Sequence, residues 1–302
     1  MKITLKSTLV IAALLAMAIN LNAQQRSSAD SLLNAIDGPA KAERVVIFKA
    51  TRLVNSQTTE MIKKQNFNFQ IIHRFGDIAG KNGGGQTAFG LDRVNDVLFG
   101  FEYGISDNFN IGLNRSTINQ LVQLELKYAL MHQTTDDSSP FAVTLVGEAG
   151  VRPYSVFQNF EDRGTFFAQA IIARKFSGLS LQVAPSFVRT NTPFPQVPGN
   201  EQQFFAVQAA ARIKLSNHTG ILLDYAHPFS SYRSNNVNFE DPIGIGYEVE
   251  TGGHVFTVNI TNSNAISEVN FLSNSQSRFS QGQYRIGFTI SRMFDFRPKN
   301  KK

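Results

Sequence analysis

The residues of this 302-residue chain with the greatest capacity for chemistry are charged side chains that alternate with apolar ones in strand-like segments. If the polar positions of these segments face one enclosed space, its candidate lining residues are Arg74, Glu102, Glu125, Lys127, Glu148, Arg152, Arg212, Lys214, Asp224, Glu248, Glu250 and Arg285. Lys175 is one further base, and the two signs nearly cancel. Because a lining that selects anions or cations has an excess of one sign, this balance favours ion pairs that brace the interior over a solute-selective lining.

Histidine and cysteine, the usual residues of catalytic and metal sites, are scarce: the chain has five histidines and no cysteine. No His-Glu-x-x-His motif occurs and no strand face has paired histidines, so a zinc site is not predicted. A hydrolase would need Ser and His side by side, but His73 ends one strand-like segment and His254 begins another, which places them at opposite ends. Both lie among apolar residues, where an imidazole packed beside Phe is the simpler interpretation. We therefore predict no enzyme activity, no catalytic residue, no metal and no cofactor.

Charge and composition exclude further classes of protein. Lys2 and Lys6 lie in residues 1–23, which have the pattern of a cleaved signal peptide. Without these two, 27 of the 29 basic residues remain against 23 acidic ones. This mild, scattered excess of positive charge argues against nucleic acid as a partner. The absence of cysteine excludes a disulfide framework. Beyond residue 23 no apolar run approaches the roughly 20 residues of a membrane-spanning helix. If the chain enters a bilayer, it must do so as strands closed on themselves, because lipid cannot satisfy unpaired backbone groups.

Twelve segments have the alternation of a strand with two different faces. In Leu121–Met131, for example, apolar residues at the even positions 122–130 alternate with Gln123, Glu125 and Lys127. The predicted strands are 65–75, 97–105, 109–115, 121–131, 141–151, 166–176, 179–187, 205–215, 219–227, 243–251, 254–262 and 283–296. Residues 166–176 are ambiguous, because apolar side chains occupy both phases. An even number of strands is typical of single-chain bacterial barrels.

The connections between these strands differ by parity. Tight turns follow the second, sixth, eighth and tenth strands, and long polar loops follow most odd ones, including 262–282 after the eleventh. Two joints fit poorly, because 116–120 is short for a loop and 133–140 is long for a turn. Outer-membrane barrels have short periplasmic turns and long outer loops, whereas a secreted sandwich has no reason to sort its loops. We therefore predict an all-β fold, an antiparallel up-and-down transmembrane β-barrel of about 12 strands with a short N-terminal extension.

The two ends of the chain lie outside this barrel pattern. Residues 1–23 have the basic start, apolar core and small final residue of a signal peptide, with cleavage near Ala23 and export through the periplasm to the bacterial outer membrane. Residues 24–64 are an N-terminal extension, with a candidate helix at Ser28–Ile36 and a candidate strand at Arg44–Val54. This extension is interpreted as either a lumen-associated segment or part of a plug. The barrel then spans 65–296, and 297–302 are a periplasmic tail.

An ordered set of motifs along nearly the whole mature chain resembles a known family. The motifs are Phe48–Asn55 with Glu60, His73–Gly76, Phe89–Asp92, Glu102–Ile105, Ile172–Phe176, Ser180–Gln182, Pro185-Ser186, Glu250–Phe256 and Gly287–Arg292. Together they are similar to the β-barrel family called domain of unknown function 5777. The resemblance implies an outer-membrane β-barrel of a Gram-negative bacterium. It implies no activity and no functional residues.

Two functions remain open at this point. The first is passage of a small polar solute through the lumen, as in a porin-like channel. The second is a non-conducting membrane scaffold that binds a periplasmic or surface protein through its loops or its periplasmic end. Outer-membrane lipid is the expected surrounding in both, and nucleic acid is not an expected partner.

Overall fold

The computed structural model describes residues 42–154, 156–157 and 159–297. The chain divides into two units, Met1–Glu43 and Arg44–Lys302, and the second contains every strand described below. The predicted signal peptide 1–23, its cleavage site near Ala23, the candidate helix Ser28–Ile36 and residues 298–302 of the tail lie outside the described residues. Within the described part of the chain, no helix is long and apolar enough to cross a membrane.

The second unit is a closed barrel of twelve antiparallel strands. The strands are β1 (Asn66–Asp77), β2 (Val94–Ser106), β3 (Phe109–Ser116), β4 (Val122–Met131), β5 (Ala142–Val151), β6 (Gly164–Phe176), β7 (Leu179–Thr190), β8 (Gln203–Lys214), β9 (Thr219–Phe229), β10 (Ile243–Glu250), β11 (His254–Thr261) and β12 (Arg285–Asp295). Each strand pairs with its neighbours in sequence, and β1 closes the barrel by pairing with β12. The predicted fold is confirmed, and no predicted strand end differs from the structure by more than three residues.

Burial alternates along the strands in the phase that the sequence predicts. In β4 the polar residues Gln123, Glu125 and Lys127 are buried, while Leu124 and Leu126 between them are exposed. An apolar outer surface matches the hydrocarbon of a bilayer, and the backbone groups of the wall are satisfied by the closed ladder. The polar side chains therefore face the interior of the barrel, which is called the lumen below.

The two ends of the barrel differ in their connections. Turns of two to four residues join β2 to β3, β6 to β7, β8 to β9 and β10 to β11. The end with these turns, where β1 begins and β12 ends, is called the inner end, and the opposite end is the outer end. The joint between β4 and β5 is also at the inner end, but it is longer, at residues 132–141. Two short α-helices lie in the outer-end connections, α1 (Ser231–Ser234) and α2 (Glu268–Ser273).

Aromatic rings cluster near both ends of the outer surface around β1, β2 and β12, although the chain has no Trp. Near the inner end, the ring centre of Phe67 lies 6.1–6.3 Å from those of Phe101, Phe294 and Phe296. Towards the outer end, the His73 ring is stacked 5.2 Å from Phe288. His73 therefore packs beside Phe, in agreement with its interpretation from the sequence. These rings take the place of the aromatic girdles that are usual in membrane barrels.

Two expectations about the segments outside the strands were wrong. Arg44–Val54 is not a strand, because its polar groups bond to side chains of the lumen and only isolated bridges, Arg44 to Thr134 and Arg52 to Gln57, occur there. Residues 262–282 are not simply an outer loop, because much of this connection turns into the lumen. Ser263, Ile266 and Glu268 in it have no exposed surface. The apolar residues around Ile266 can be buried there, which an extended loop in water would not allow.

Candidate functional site

The lumen is occupied by the segment that precedes β1. Residues 44–64, called the inner hairpin below, enter at the inner end, where the Val45 amide donates to the Gln133 carbonyl at 2.8 Å. The chain reverses between Thr51 and Thr58, with hydrogen bonds from Leu53 N to Ser56 O and from Thr58 N to Thr51 O. It then returns to the inner end, where β1 begins. The inner hairpin thus has both of its ends on one side of the membrane barrel and its tip inside.

One carboxylate of the wall holds the hairpin tip. Asp224 of β9 accepts hydrogen bonds from the backbone amides of Val54 at 2.8 Å, Asn55 at 3.3 Å and Ser56 at 3.2 Å. On the other side, the Arg74 guanidinium donates to the Val54 carbonyl at 3.0 Å and to Asn55 Oδ1 at 2.8 Å. The tip is therefore fixed through its backbone, with donors facing an acid and acceptors facing a base.

The wall of β10 is shaped to receive Val54. A Cβ atom on Gly244 would lie 2.6 Å from Val54 Cγ1, and one on Gly246 would lie 3.0 Å from Val54 Cγ2. No real side chain fits at the first distance without displacing its neighbour. Both glycines point inward, because their neighbours Ile243, Ile245 and Tyr247 are exposed. Glycine at these two positions makes room for the hairpin.

Further contacts join the hairpin to acidic side chains of the wall. The Thr51 hydroxyl donates to both carboxylate oxygens of Glu102, at 3.0 and 2.9 Å. The Gln57 amide donates to Glu125 at 3.0 Å and to Glu148 at 2.9 Å, so that one NH₂ group bridges two strands. At the mouth, Lys49 forms an ion pair of 2.6 Å with the half-exposed Glu250.

The outer half of the lumen is occupied from the other side. Helix α2 is wholly buried, and Val269, Phe271 and Leu272 in this region pack with the inward residues Phe167 and Phe204 of the wall. This packing explains why residues 166–176 have apolar side chains in both phases. One face meets lipid, and the other meets α2 and, nearer the inner end, the hairpin through Ala173.

An ion pair connects the two inserted segments. Arg52 Nη1 of the inner hairpin lies 2.6 Å from Glu268 Oε1 of α2, and a second hydrogen bond of 3.3 Å joins Nη2 to Oε2. Burial alone would lower the pKa of Arg52, but the carboxylates of Glu268, Glu125 and Glu148 raise it above its ordinary value. The guanidinium therefore stays charged, and the inner and outer insertions are held together by a bidentate pair.

The twelve residues predicted to line the lumen fall into two groups. Ten are buried: Arg74, Glu102, Glu125, Lys127, Glu148, Arg152, Arg212, Asp224, Glu248 and Arg285. Lys214 is exposed, because β8 ends there at the inner rim, and Glu250 is half-buried at the mouth. Arg212 pairs with Glu248 at 2.7 Å, while Arg285 pairs at 2.8 Å with Asp77, a residue absent from the prediction.

Sequence reasoning missed the residues that connect the insertions. Arg52 and Glu268 lie outside every alternating segment, and they are 216 positions apart. The buried charged residues among the described positions comprise eight acids and, with Arg52 of the hairpin, seven bases; outside the hairpin the bases number six. The acids are Asp77, Asp96, Glu102, Glu125, Glu148, Asp224, Glu248 and Glu268, and the six bases are Arg74, Lys127, Arg152, Arg212, Arg233 and Arg285.

The Thr51 hydroxyl should contribute measurably to the free energy that holds the hairpin in the lumen. Thr51→Val removes the donor to Glu102, and a hydrogen bond to a charged group contributes about 1.5–3 kcal/mol. We expect amide hydrogen exchange in residues 44–64 to accelerate by roughly tenfold or more, since 1.4 kcal/mol is a factor of ten. Thr59→Val is the matched control, because the buried Thr59 hydroxyl has no hydrogen-bond partner among the described residues. Equal acceleration in both variants would contradict this role of Thr51.

Comparison with known proteins supports assignment to a family but not to an activity. No curated protein matches the chain. Solved structures to which it is similar include an outer membrane channel from Pseudomonas putida F1, at 9% identity and a TM-score of 0.48, covering 78% of this chain and 98% of that one. The NanC porin has 7% identity and a TM-score of 0.46, over 75% and 98%. Omp33 of Acinetobacter baumannii has 7% identity and a TM-score of 0.41, over 76% and 99%. The family described as "membrane bound beta barrel domain", domain of unknown function 5777, matches residues 48–294, and the chain belongs to that family.

Proposed function

We propose that the protein is an outer-membrane channel for small polar solutes, and that the inner hairpin and α2 close it at rest. The observation that supports this proposal is the position of the hairpin inside the barrel and the way in which it is bound there. It occupies the inner half of the lumen, both of its ends lie at the inner end, and it is held by discrete polar contacts to Glu102, Glu125, Glu148 and Asp224. A segment attached in this way can leave the barrel without disturbing any strand of the wall.

The polarity of the wall behind the hairpin favours a lumen that is at times filled with water. Buried ion pairs such as Arg212–Glu248 add little net stability, and apolar residues of similar volume usually do as well or better. A barrel sealed permanently would be stabilised more by an apolar interior. Charged side chains become favourable when the hairpin is withdrawn and water enters, which supports a channel that opens.

The ion pair between the insertions provides a way to coordinate opening. When the hairpin leaves, Glu268 loses Arg52 and becomes a buried carboxylate without its cation. An unpaired buried charge costs about 3–5 kcal/mol. Withdrawal of the hairpin at the inner end would therefore destabilise α2 in the outer half, and both halves of the closure would loosen together.

The second candidate is a non-conducting scaffold that binds a partner at the cell surface or in the periplasm. The apolar packing of α2 supports it, because Phe271 and Leu272 are buried as in a permanent core. A cavity of about 430 Å³ between the β9–β10 connection and α2 offers a place for a partner, with Arg233, Phe239 and Leu272 in its lining. Neither candidate includes catalysis, and we propose that the protein is not an enzyme.

The remaining parts of the proposal concern the ends of the chain. We propose export through the periplasm with cleavage near Ala23, a signal peptide at 1–23, an N-terminal extension at 24–64 that is a plug or a lumen segment, the barrel at 65–296 and a periplasmic tail at 297–302. The buried contacts of residues 44–64 with the lumen support the boundary at 64. The alternating burial of β1, which is typical of the barrel wall, begins at Asn66.

A reversible lock tests the channel in the full-length protein. A Cβ atom on Gly244 would lie 3.2 Å from Val54 Cβ, near the roughly 3.5–4.5 Å of disulfides, and the chain has no cysteine of its own. In the variant Arg52→Glu/Val54→Cys/Gly244→Cys, the reversed charge faces Glu268 and expels the hairpin unless the disulfide holds it. In planar bilayers we expect no current steps when the protein is oxidised and discrete conductance steps after reduction.

Two comparisons make this experiment decisive. Arg52→Glu/Val54→Cys lacks the second cysteine and should conduct under both conditions. Gly244→Leu, which collides with Val54, should conduct without any redox step, while Gly147→Leu should not, because a Cβ at Gly147 meets no atom within 4 Å. Silence after reduction, with amide exchange showing that the hairpin has been released, would overturn the channel and leave the scaffold.

A further inference from the structure

We propose that the open lumen selects small cationic solutes with hydrogen-bond donors, such as those with ammonium or guanidinium groups. This inference rests on the proposed channel function and specifies its substrate class. It follows from the way in which the wall binds the inner hairpin, which occupies the site where a solute would pass.

The hairpin donates hydrogen bonds mainly to carboxylates of the wall and of α2. The amides of Val54, Asn55 and Ser56 bond to Asp224, and the Gln57 amide bonds to Glu125 and Glu148. Carboxylates also accept from the Thr51 hydroxyl (Glu102), the Arg52 guanidinium (Glu268) and the Lys49 ammonium (Glu250), while the Asn55 side chain and the Val45 amide donate to the neutral groups of Thr261 and Gln133. Six acidic side chains therefore receive donors from this one segment.

Withdrawal of the hairpin changes the acids of the lumen more than the bases. All three hydrogen bonds described for Asp224 come from the hairpin, and so does the cation of Glu268. Among the bases, Arg212 retains Glu248 and Arg285 retains Asp77, while Arg74 loses the Val54 carbonyl and Asn55 Oδ1 and keeps Asn259. Among the described residues, an emptied lumen would therefore present six carboxylates that have lost a donor, against one buried guanidinium, that of Arg74, that has lost acceptors.

The buried residues of the barrel and its connections, taken without the hairpin, also have an excess of acids. Eight buried acids face six buried bases when the hairpin is left out. A ring or band of carboxylates raises the local concentration of cations and excludes anions. The carboxylates also lie on neighbouring strands, since Glu125 is directly opposite Glu148 across the β4–β5 pair. A solute with two or more N–H groups can bridge such a pair as the Gln57 amide does.

The reversal potential in a potassium chloride gradient tests this selectivity. The proteins are the reduced triple variant and full-length Gly244→Leu, so that the result does not depend on one way of opening. A tenfold gradient sets a limit of about 59 mV for a single charge. We expect the reversal potential of both proteins to have the sign of the potassium equilibrium potential. Adding Glu125→Gln and Glu148→Gln should shift it towards zero.

Controls separate the lumen from the rest of the surface. Glu161→Gln removes an exposed carboxylate in the β5–β6 loop and should leave the reversal potential unchanged. Clear conductance steps with a reversal potential at zero, or on the chloride side, would overturn the cation selectivity and leave the channel intact. Absence of steps in both opened proteins would instead overturn the channel itself.

Discussion

Arg52→Met is expected to weaken the closure of the lumen by about 3–5 kcal/mol, the usual cost of leaving one buried charge of a pair alone. Glu268 would remain in α2 with no exposed surface and without its cation. Amide exchange should accelerate by at least a hundredfold in the inner hairpin and in residues 263–277 together, since about 2.8 kcal/mol is two factors of ten. Hydrogen exchange followed by mass spectrometry on the folded barrel would measure both segments in one experiment.

Lys49→Met provides the matched control for this substitution. Lys49 belongs to the same hairpin and also pairs with a glutamate, but both partners are about 30% exposed. Pairs at the surface contribute about 0–1 kcal/mol, so exchange should change by less than tenfold. If Lys49→Met and Arg52→Met had equal effects, or if α2 kept its protection in Arg52→Met, the ion pair would not couple the two insertions.

Asp224→Ala should release the tip of the hairpin, because three backbone amides lose their acceptor at once. Each unsatisfied buried donor costs about 1–3 kcal/mol, and water entering the gap limits the total. We expect exchange at residues 53–57 to accelerate more than in any single hydroxyl variant, while the strands of the barrel keep their protection. Asp224→Asn, which retains one acceptor oxygen, should fall between Asp224→Ala and the parent protein.

The control for the second substitution is Asp136→Ala, in an exposed part of the β4–β5 connection. Its carboxylate accepts hydrogen bonds from the backbone amide and the hydroxyl of Ser138, within its own turn. Loss of protection in the hairpin after Asp136→Ala would show that exchange there reports a general loosening. Unchanged protection after Asp224→Ala would show that the tip is held by the fit of Val54 against Gly244 and Gly246 instead.

The barrel could be predicted from the sequence because each strand repeats one local rule. Alternation in Leu121–Met131 needs no knowledge of distant residues, since lipid and lumen impose the same two faces on every strand. The parity of the connections could be read in the same way from turn residues such as Gly252-Gly253, where both φ angles are positive. These signals are local and repeated twelve times, which makes the fold robust to a single ambiguous segment.

The sequence indicated a lumen segment or plug before residue 65, but its contacts could not be predicted, because they depend on single pairs of distant residues. Nothing near Arg52 indicates Glu268, and nothing near Asp224 indicates three amides that lie about 170 positions earlier. Two signals did exist. Phe167 and Ala173 are apolar on the inward face of β6, and Gly244 and Gly246 alternate with larger outward residues on β10. Inward positions that are apolar or lack a side chain indicate an occupant that must be packed against or admitted.

The position of the two ends of the inner hairpin determines how it responds to mechanical force. The segment enters beside Gln133 and leaves where Gln65 bonds to Gly104, both at the inner end. Tension on the chain before Arg44, directed away from the barrel, would load the Val45–Gln133 contact first, then Lys49 and Thr51, and the tip last. Contacts broken in sequence require a low peak force, as in unzipping, whereas pressure from the outer end loads them all together. A closure that is stable at equilibrium is therefore mechanically weak from one side only.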